Sequence, residues 1–309
     1  MSTGLLHLLC LRAAGRIPDG DLAGLRGLLA HGDHGDHGAC AARLLGAFPQ
    51  SAAEIAVLTA LLPPETPLLP EPAADENVDA EPTALFVPFP PADLPLYATA
   101  APPVVDETAG GTVDDLDRAL LDVLDPARTA GVWRCWRITR GPDGTVDAVR
   151  VYLVEATAPD DELPAIADRG QQALADAGHA APVEVYRPDL PLPAYQWAAR
   201  SRSALIWAPQ PPGEVHLAAD GDARLPVDDD EIAAFVTHLR SAPALTAHLR
   251  TDGTWVWPAD VADRLLDEGA LADEGLLRHL RRCRADPPAP ADAVAVHRAF
   301  AALVRARAL

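Results

Sequence analysis

The chain has 309 residues, of which 49% are hydrophobic and 23% charged, and its formal net charge is -20. This length predicts about two domains with real cores, and the negative charge argues against binding of nucleic acid or of an anionic membrane over the whole surface. No apolar run reaches the roughly 18 residues of a membrane span, and the N-terminus has no basic region before its apolar stretch, so we expect neither a membrane span nor a signal peptide.

The four cysteines, Cys10, Cys40, Cys135 and Cys283, are far apart in the sequence and form no CxxC motif. This spacing favours reduced thiols over a disulfide framework or a zinc site. We therefore predict a cytoplasmic protein in which the cysteines are small core residues.

Residues 1–62 predict a helical domain. Apolar residues recur at spacings of three and four in four short segments, at 4–14, 19–30, 39–48 and 51–62. Ser51 and Glu54 have the spacing of a capping box, which predicts the start of the last helix.

Residues 31–38 read HGDHGDHG, with histidines at 31, 34 and 37 and aspartates at 33 and 36. Imidazoles and carboxylates are good ligands for zinc or nickel, so His31, His34, His37, Asp33 and Asp36 are candidate metal ligands. A metal-dependent enzyme using this segment is one hypothesis. We favour a plain exposed loop without a cofactor, because slippage of a nine-base unit produces such a repeat and no residue to support the ligands is identifiable.

Residues 63–112 are rich in proline and acidic residues and predict an extended linker, because little apolar surface is available to offset the entropy of ordering. The segment 84–97, ALFVPFPPADLPLY, is an apolar exception. We favour docking of this segment on its own protein. The alternative is that Phe86 and Phe89 enter a groove of a partner protein.

Residues 113–285 predict an α+β domain. Its most distinctive feature is a hairpin of residues 131–140 and 145–156, joined by a turn that contains proline and glycine. Alternating helices and strands follow, and this order implies a mixed sheet layered by helices. Two helices at 259–268 and 273–283 are expected to face each other as a helical hairpin at the end of the domain.

The motif TDGTWVWP at residues 251–258 predicts a strand in which Trp255 and Trp257 lie on the same face. If that face is inward, the indoles belong to the core. If it is outward, they are the best candidates for a hot spot that binds a protein partner. We favour the core interpretation.

Residues 286–309 predict a C-terminal amphipathic basic helix. From residue 278 to the end there are seven arginines and two aspartates, in contrast to the acidic remainder. We expect this basic part to fold against the acidic body, and the alternative is a contact with nucleic acid.

No recognised catalytic motif of the types GxGxxG, GxxxxGK[ST], GxSxG or HExxH occurs, so we predict no catalytic residue. The block TDGTWVWPADVADRLLDEGALADEGLLRHL, with VRVYLVEA and VEVYRPDLPLPAYQWAARSRSALIWAP before it, resembles uncharacterised actinobacterial proteins that carry a TDGTWVW-type C-terminal block. The order of strand, acidic helix and strand is also similar to SseB-like C-terminal domains. The resemblance covers roughly residues 130–285, and such proteins are associated with toxin, immunity or secretion neighbourhoods.

Composition and the absence of catalytic motifs favour a non-catalytic cytoplasmic protein that binds another protein, and the resemblance implies that it is of the immunity or adaptor type. Two alternatives stay open. One is the metal-dependent enzyme built on the segment from His31 to His37, and the other is a nucleic-acid adaptor that uses the basic C-terminal tail.

Overall fold

The computed structural model describes residues 2–32, 34–63, 70–74, 78, 80–97, 101–141, 143–219, 221 and 224–308. The chain forms two compact units, Met1–Pro209 and Gln210–Leu309. Helices combine with mixed sheets, which confirms the predicted α+β class. The division at Gln210 differs from the predicted boundaries at residues 62, 112 and 285.

The first unit combines seven α-helices and six strands of the described chain with one 3-10 helix. In chain order these elements are α1 (Ser2–Ala13), α2 (Asp19–His31), α3 (His34–Leu44), α4 (Ala52–Ala60), β1 (Leu85–Val87), the 3-10 helix (Pro91–Tyr97), β2 (Val105–Asp106), α5 (Asp115–Val123), β3 (Thr129–Arg140), β4 (Val146–Ala156), α6 (Leu163–Asp176), β5 (Val183–Tyr186), α7 (Ala194–Arg200) and β6 (Ala204–Trp207).

The sheet of the first unit has the strand order β2-β6-β3-β4-β5, with β1 paired to β3. Strands β3 and β4 form the predicted antiparallel hairpin. In its turn Gly144 has a φ of 82°, a conformation that glycine adopts without strain. Strands β4 and β5 are parallel, and α6 connects them and covers the sheet.

The predicted linker contributes two strands to this sheet. Strand β1 pairs antiparallel with β3, and β2 pairs in parallel with β6. Phe86 and Phe89 are buried, and the ring of Phe86 meets the ring of Tyr195 edge-on at 5.2 Å between centroids. The segment therefore docks on its own protein as favoured, and these two phenylalanines are not an exposed surface for a partner.

Buried polar contacts join the N-terminal helices to the sheet. Arg26 of α2 donates a hydrogen bond of 2.6 Å to Glu184 of β5, and both side chains are almost fully buried. Gln196 of α7 donates bonds of 2.8 Å to the same carboxylate and to the backbone carbonyl of Leu11. Loss of one partner would leave a buried charge unpaired. These contacts tie the helices of residues 1–62 to the sheet, so this part of the chain belongs to the first unit and is not a separate domain.

The second unit contains four α-helices and six strands of the described chain. In chain order they are β7 (His216–Leu217), β8 (Leu225–Pro226), α8 (Asp229–Ser241), β9 (Ala244–Thr246), β10 (Leu249–Thr251), β11 (Trp255–Pro258), α9 (Val261–Glu268), β12 (Ala270–Leu271), α10 (Glu274–Ala285) and α11 (Ala293–Ala308). One sheet has the order β7-β11-β10-β9, and β8 pairs with β12.

Trp255 and Trp257 are 8% and 1% exposed and belong to one apolar cluster with Phe235, Leu239 and Leu265. This confirms the core interpretation of the two indoles, and neither offers an exposed hot spot. Helix α8 packs against both α9 and α10. Helix α8 is thus a shared neighbour of these two helices, whose residues Val261, Leu265 and Leu280 belong to the same cluster.

The basic residues near the C-terminus contact their own unit. Arg281 and Arg284 of α10 form ion pairs with Glu231 and Asp230 of α8. Arg298 of α11 donates hydrogen bonds to backbone carbonyls at residues 210 and 211. This agrees with the expectation that the basic tail folds against the protein. In the described part of the chain no helix is long and apolar enough to cross a membrane.

Replacement of Trp257 by alanine should lower the free energy of unfolding by about 3–5 kcal/mol, because it leaves a large cavity in the second core. Trp197 is 60% exposed, so Trp197→Ala is the matched control and should change stability by less than about 0.5 kcal/mol. Urea denaturation of both variants measures the difference. Equal losses would contradict the assignment of Trp257 to the core.

The stability of the first unit is expected to depend on the protonation of His7. Its Nε2 donates a hydrogen bond of 2.8 Å to the carbonyl of Val185. Burial lowers the pKa of His7 to about 4, although this hydrogen bond opposes the change. In the unfolded chain the same ring takes up a proton near pH 6.5, so the unfolded state binds more protons between these two values.

The contribution of His7 should therefore be complete above about pH 6.5 and should be lost as the pH falls to about 4, by roughly 3 kcal/mol in total. Urea titrations of the wild type and of His7→Phe at several pH values measure how this contribution to the free energy of unfolding depends on pH. The variant should have a shallower decline in stability over that range. If the free energies of unfolding of the two proteins decline equally as the pH falls, His7 is not the source of this pH dependence.

Candidate metal centre

Four side chains of the second unit converge at one point. His238, Asp252, His279 and Cys283 each offer one ligand atom, and all these atoms lie within 4.8 Å of one another. His238 comes from α8, Asp252 from the turn between β10 and β11, and the other two from α10. The cluster therefore joins three separate elements.

Helix α10 presents His279 and Cys283 together because residues four apart lie on the same side of a helix. Asp273 begins this helix by accepting a hydrogen bond of 2.9 Å from the backbone N–H of Leu276. Leu276 and Leu280 are buried in the core and fix the rotation of the helix. Consequently the histidine and the cysteine, both 8% exposed, face inward beside that core.

The turn after β10 holds Asp252 in a defined orientation. Its Oδ1 accepts hydrogen bonds from the backbone N–H groups of Thr254 and Trp255, at 3.0 and 2.9 Å, and from the hydroxyl of Thr254. Gly253 has a φ of 92°, which an L side chain would rarely adopt. Because Oδ1 is bound by the turn, Oδ2 is the oxygen available to the cluster.

The distances between the ligand atoms match those of a tetrahedral ion site only in part, since one contact lies in the expected range and two are shorter. Asp252 Oδ2 lies 3.1 Å from His238 Nε2 and 2.5 Å from His279 Nε2, and Cys283 Sγ lies 3.4 Å from the same His279 nitrogen. Zinc bonds of about 2.0–2.3 Å place tetrahedral ligand atoms roughly 3.3–3.8 Å apart. To admit the ion, Asp252 Oδ2 and His279 Nε2, now 2.5 Å apart, would have to separate by roughly 1 Å.

Negative charge predominates in the cluster. Burial alone would raise the pKa of Asp252, but hydrogen bonds from His238 and His279 hold that pKa well below its usual range. Burial, with the negative charge of Asp252 beside it, raises the pKa of the Cys283 thiol. A bound cation would instead lower the pKa of this thiol, because thiolate is the form that coordinates metal.

The same geometry does not support a nucleophilic cysteine. In a catalytic triad the acid bonds one ring nitrogen of the histidine and the nucleophile bonds the other. Here both Asp252 Oδ2 and Cys283 Sγ lie nearest Nε2 of His279. The raised pKa of the thiol also opposes formation of a nucleophilic thiolate. The set of two imidazoles, one carboxylate and one thiol instead matches the ligands of zinc.

The sequence-predicted candidates lie elsewhere, in the first unit. His31 ends α2, and its exposed ring contacts Asp168 Oδ2 at 2.8 Å. His37 is buried in α3 and contacts the hydroxyl of Thr3 at 3.1 Å. These two imidazoles bond different neighbours and are not brought together as ligands of one ion.

The expectation of an exposed loop at residues 31–38 is wrong for its second half, because α3 begins at His34 and includes Asp36 in its first turn. Tertiary burial of the helix outweighs the low helix propensity of its glycines. Asp33 and the side chain of His34 lie outside the described residues.

Sequence reasoning missed all four residues of the cluster as ligands. Cys283 was assigned to the core because no CxxC motif occurs. A usable signal was the spacing of His279 and Cys283, four residues apart in a predicted helix. His238 and Asp252 gave no such signal, because only the fold brings them to α10.

Comparison of the chain with protein-family models, with curated proteins and with solved structures found no match. The chemical interpretation of the cluster therefore depends on its own geometry.

Proposed function

We propose that the second unit binds one zinc ion through His238, Asp252, His279 and Cys283, and that the ion has a structural role. The observation that carries this proposal is the convergence of two imidazole Nε2 atoms on Asp252 Oδ2, with a buried thiol 3.4 Å from one of them.

The donor set supports zinc over calcium or magnesium, because nitrogen and sulfur ligands suit zinc whereas those two ions prefer oxygen. Four protein ligands fill a tetrahedral site and leave no position for a reactive water molecule. This is the arrangement of a structural site.

The role of the ion follows from the elements that it would join. Helix α8, the β10–β11 turn and helix α10 each supply ligands, so the bound ion would cross-link three parts of a small unit. Because the unfolded chain has no such preformed site, the free energy of binding adds to the stability of the folded state.

Metal analysis of untagged protein tests the proposal against the alternative that Asp252 only accepts hydrogen bonds from two imidazoles. We expect about one zinc per chain in the wild type and a strong loss in Cys283→Ser and His279→Gln. The matched controls are Cys40→Ser, a buried cysteine of the first unit, and His248→Ala, an exposed histidine of the second unit. Both should keep the wild-type zinc content.

Cobalt(II) substitution gives a second readout. The wild type should show the visible bands of tetrahedral cobalt and a thiolate-to-cobalt charge-transfer band, and Cys283→Ser should lose the latter. Equal zinc contents in the wild type and in Cys283→Ser, or cobalt-loaded wild type without the thiolate band, would contradict the four-ligand site.

One observation favours a second function, binding of another protein as an immunity or adaptor component in the cytoplasm. Trp197 on α7 is 60% exposed, and tryptophan is the residue type most enriched in hot spots of protein interfaces. The four cysteines are unpaired and buried, which is compatible with a reducing compartment.

Affinity capture from the native host tests this second function with three baits: the wild type, Trp197→Ala and the control Val146→Ala, whose side chain is 59% exposed in the same unit. A specific partner should be retained by the wild type and by the control, and lost with Trp197→Ala. If every captured protein binds all three baits equally, Trp197 is not an interface residue.

A further inference from the structure

Cys283 is the ligand of the candidate metal centre that an oxidant can change reversibly. It is the one cysteine of the second unit, because Cys10, Cys40 and Cys135 all belong to Met1–Pro209. Cysteine is oxidised stepwise, and its first product, sulfenic acid, is readily reduced again. Imidazole and carboxylate ligands have no such reversible step. An effect of a mild oxidant on the cluster is therefore expected at this sulfur atom.

Cys283 is also the most accessible of the four cysteines. It is 8% exposed, whereas the other three are 0% exposed. It lies in the last turn of α10 between the exposed residues Arg282 and Arg284, and the chain beyond the helix is exposed through residue 290. The side chain of His238, another ligand of the cluster, is 21% exposed. The cluster therefore lies at the surface of the second unit, where an oxidant of about the size of water has access.

Coordination would keep the sulfur in its reactive form. Cysteine binds zinc as the thiolate, and the thiolate is the nucleophile that attacks a hydroperoxide. In this step an S–O bond forms and the O–O bond of the peroxide breaks. The sulfur loses two electrons and becomes sulfenic acid, and hydrogen peroxide is reduced to one hydroxide ion. The product no longer has the thiolate that binds the ion.

The second unit contains no second thiol that could close a disulfide with the oxidised Cys283. Reduction therefore has to come from outside the unit. Two molecules of a small thiol such as glutathione convert the sulfenic acid back to the thiol, with formation of one disulfide of the small thiol and one water molecule. Oxidation of this ligand is consequently reversible.

We propose that Cys283 is a redox switch of the metal centre: a hydroperoxide oxidises it to sulfenic acid and releases the zinc ion, and a small thiol restores the ligand. This inference rests on the zinc site proposed above. Release of the ion removes the cross-link between α8, the β10–β11 turn and α10. The free energy of zinc binding no longer stabilises the folded state, so the oxidised unit is less stable than the zinc-bound unit.

Peroxide treatment of zinc-loaded, full-length, untagged protein tests the proposal. A chromophoric zinc chelator reports release of the ion, and dimedone traps sulfenic acid. We expect the loss of about one zinc per chain, and peptide mapping should locate the dimedone adduct on Cys283. In a sample treated without dimedone, glutathione followed by added zinc should restore the original zinc content.

The variant Cys283→Asp separates coordination from oxidation, because a carboxylate binds zinc and is not oxidised by peroxide. It should hold its zinc both before and after the treatment. Cys40→Ser is the matched control, because it removes a thiol of the first unit, and it should release zinc like the wild type. If Cys283→Asp binds no zinc, the position of the dimedone adduct in the wild type decides the question alone.

Failure of the switch is distinguishable from failure of the metal site. A wild type that never holds zinc overturns both proposals. The switch alone is overturned if the loaded wild type keeps its zinc in peroxide, if the adduct maps to another cysteine, or if Cys283→Asp loses zinc as the wild type does. Release of zinc together with an adduct on Cys283 supports the switch.

Discussion

The ionised carboxylate of Asp252 is the constraint that organises the second unit. A buried charge is stable only when its lone pairs are satisfied, and Asp252 meets this condition with two groups of partners. Backbone N–H groups of its own turn bind Oδ1, and the imidazoles of His238 and His279 meet at Oδ2. The same side chain therefore fixes the turn between two strands and the positions of two helices.

The first unit depends on a comparable buried charge. Glu184 of the sheet receives hydrogen bonds from Arg26 and Gln196, so two helices that are distant in sequence are joined to β5 through one carboxylate. This explains why the N-terminal helices and the sheet form one unit. The helices supply donors to one oxygen, Oε2, of this buried carboxylate.

Local patterns were sufficient to predict elements whose stability depends on neighbouring residues. The hairpin of β3 and β4 and the amphipathic helices follow hydrophobic periodicity, which is readable within a short window. Strand β1 was missed because only three residues form it, and its stability depends on the burial of Phe86 against Tyr195. Helix α3 was predicted to begin at residue 39 and begins at His34, because packing overrides the weak propensity of a glycine-containing segment.

The candidate metal centre was beyond prediction for the same reason. A CxxC or HExxH motif is recognisable because its ligands are close in sequence, whereas here the four ligands come from three separate elements. The repeated histidines from His31 to His37 were conspicuous in sequence, but their neighbours in space are Asp168 and Thr3. A pattern of ligand residues becomes a site only where the backbone brings the donor atoms together.

The structure gives the TDGTWVW segment a physical explanation. Asp252 is the carboxylate of the cluster, and Gly253 permits the turn. The two indoles lie beside the imidazoles of the cluster: the ring centroids of Trp255 and His279 are 5.9 Å apart, and those of Trp257 and His238 are also 5.9 Å apart. Aromatic walls limit the access of water and lower the local dielectric constant, which strengthens the attraction between a cation and its ligands. The tryptophans thus link the core to the cluster: the side chains that stabilise the sheet also enclose the ligand atoms.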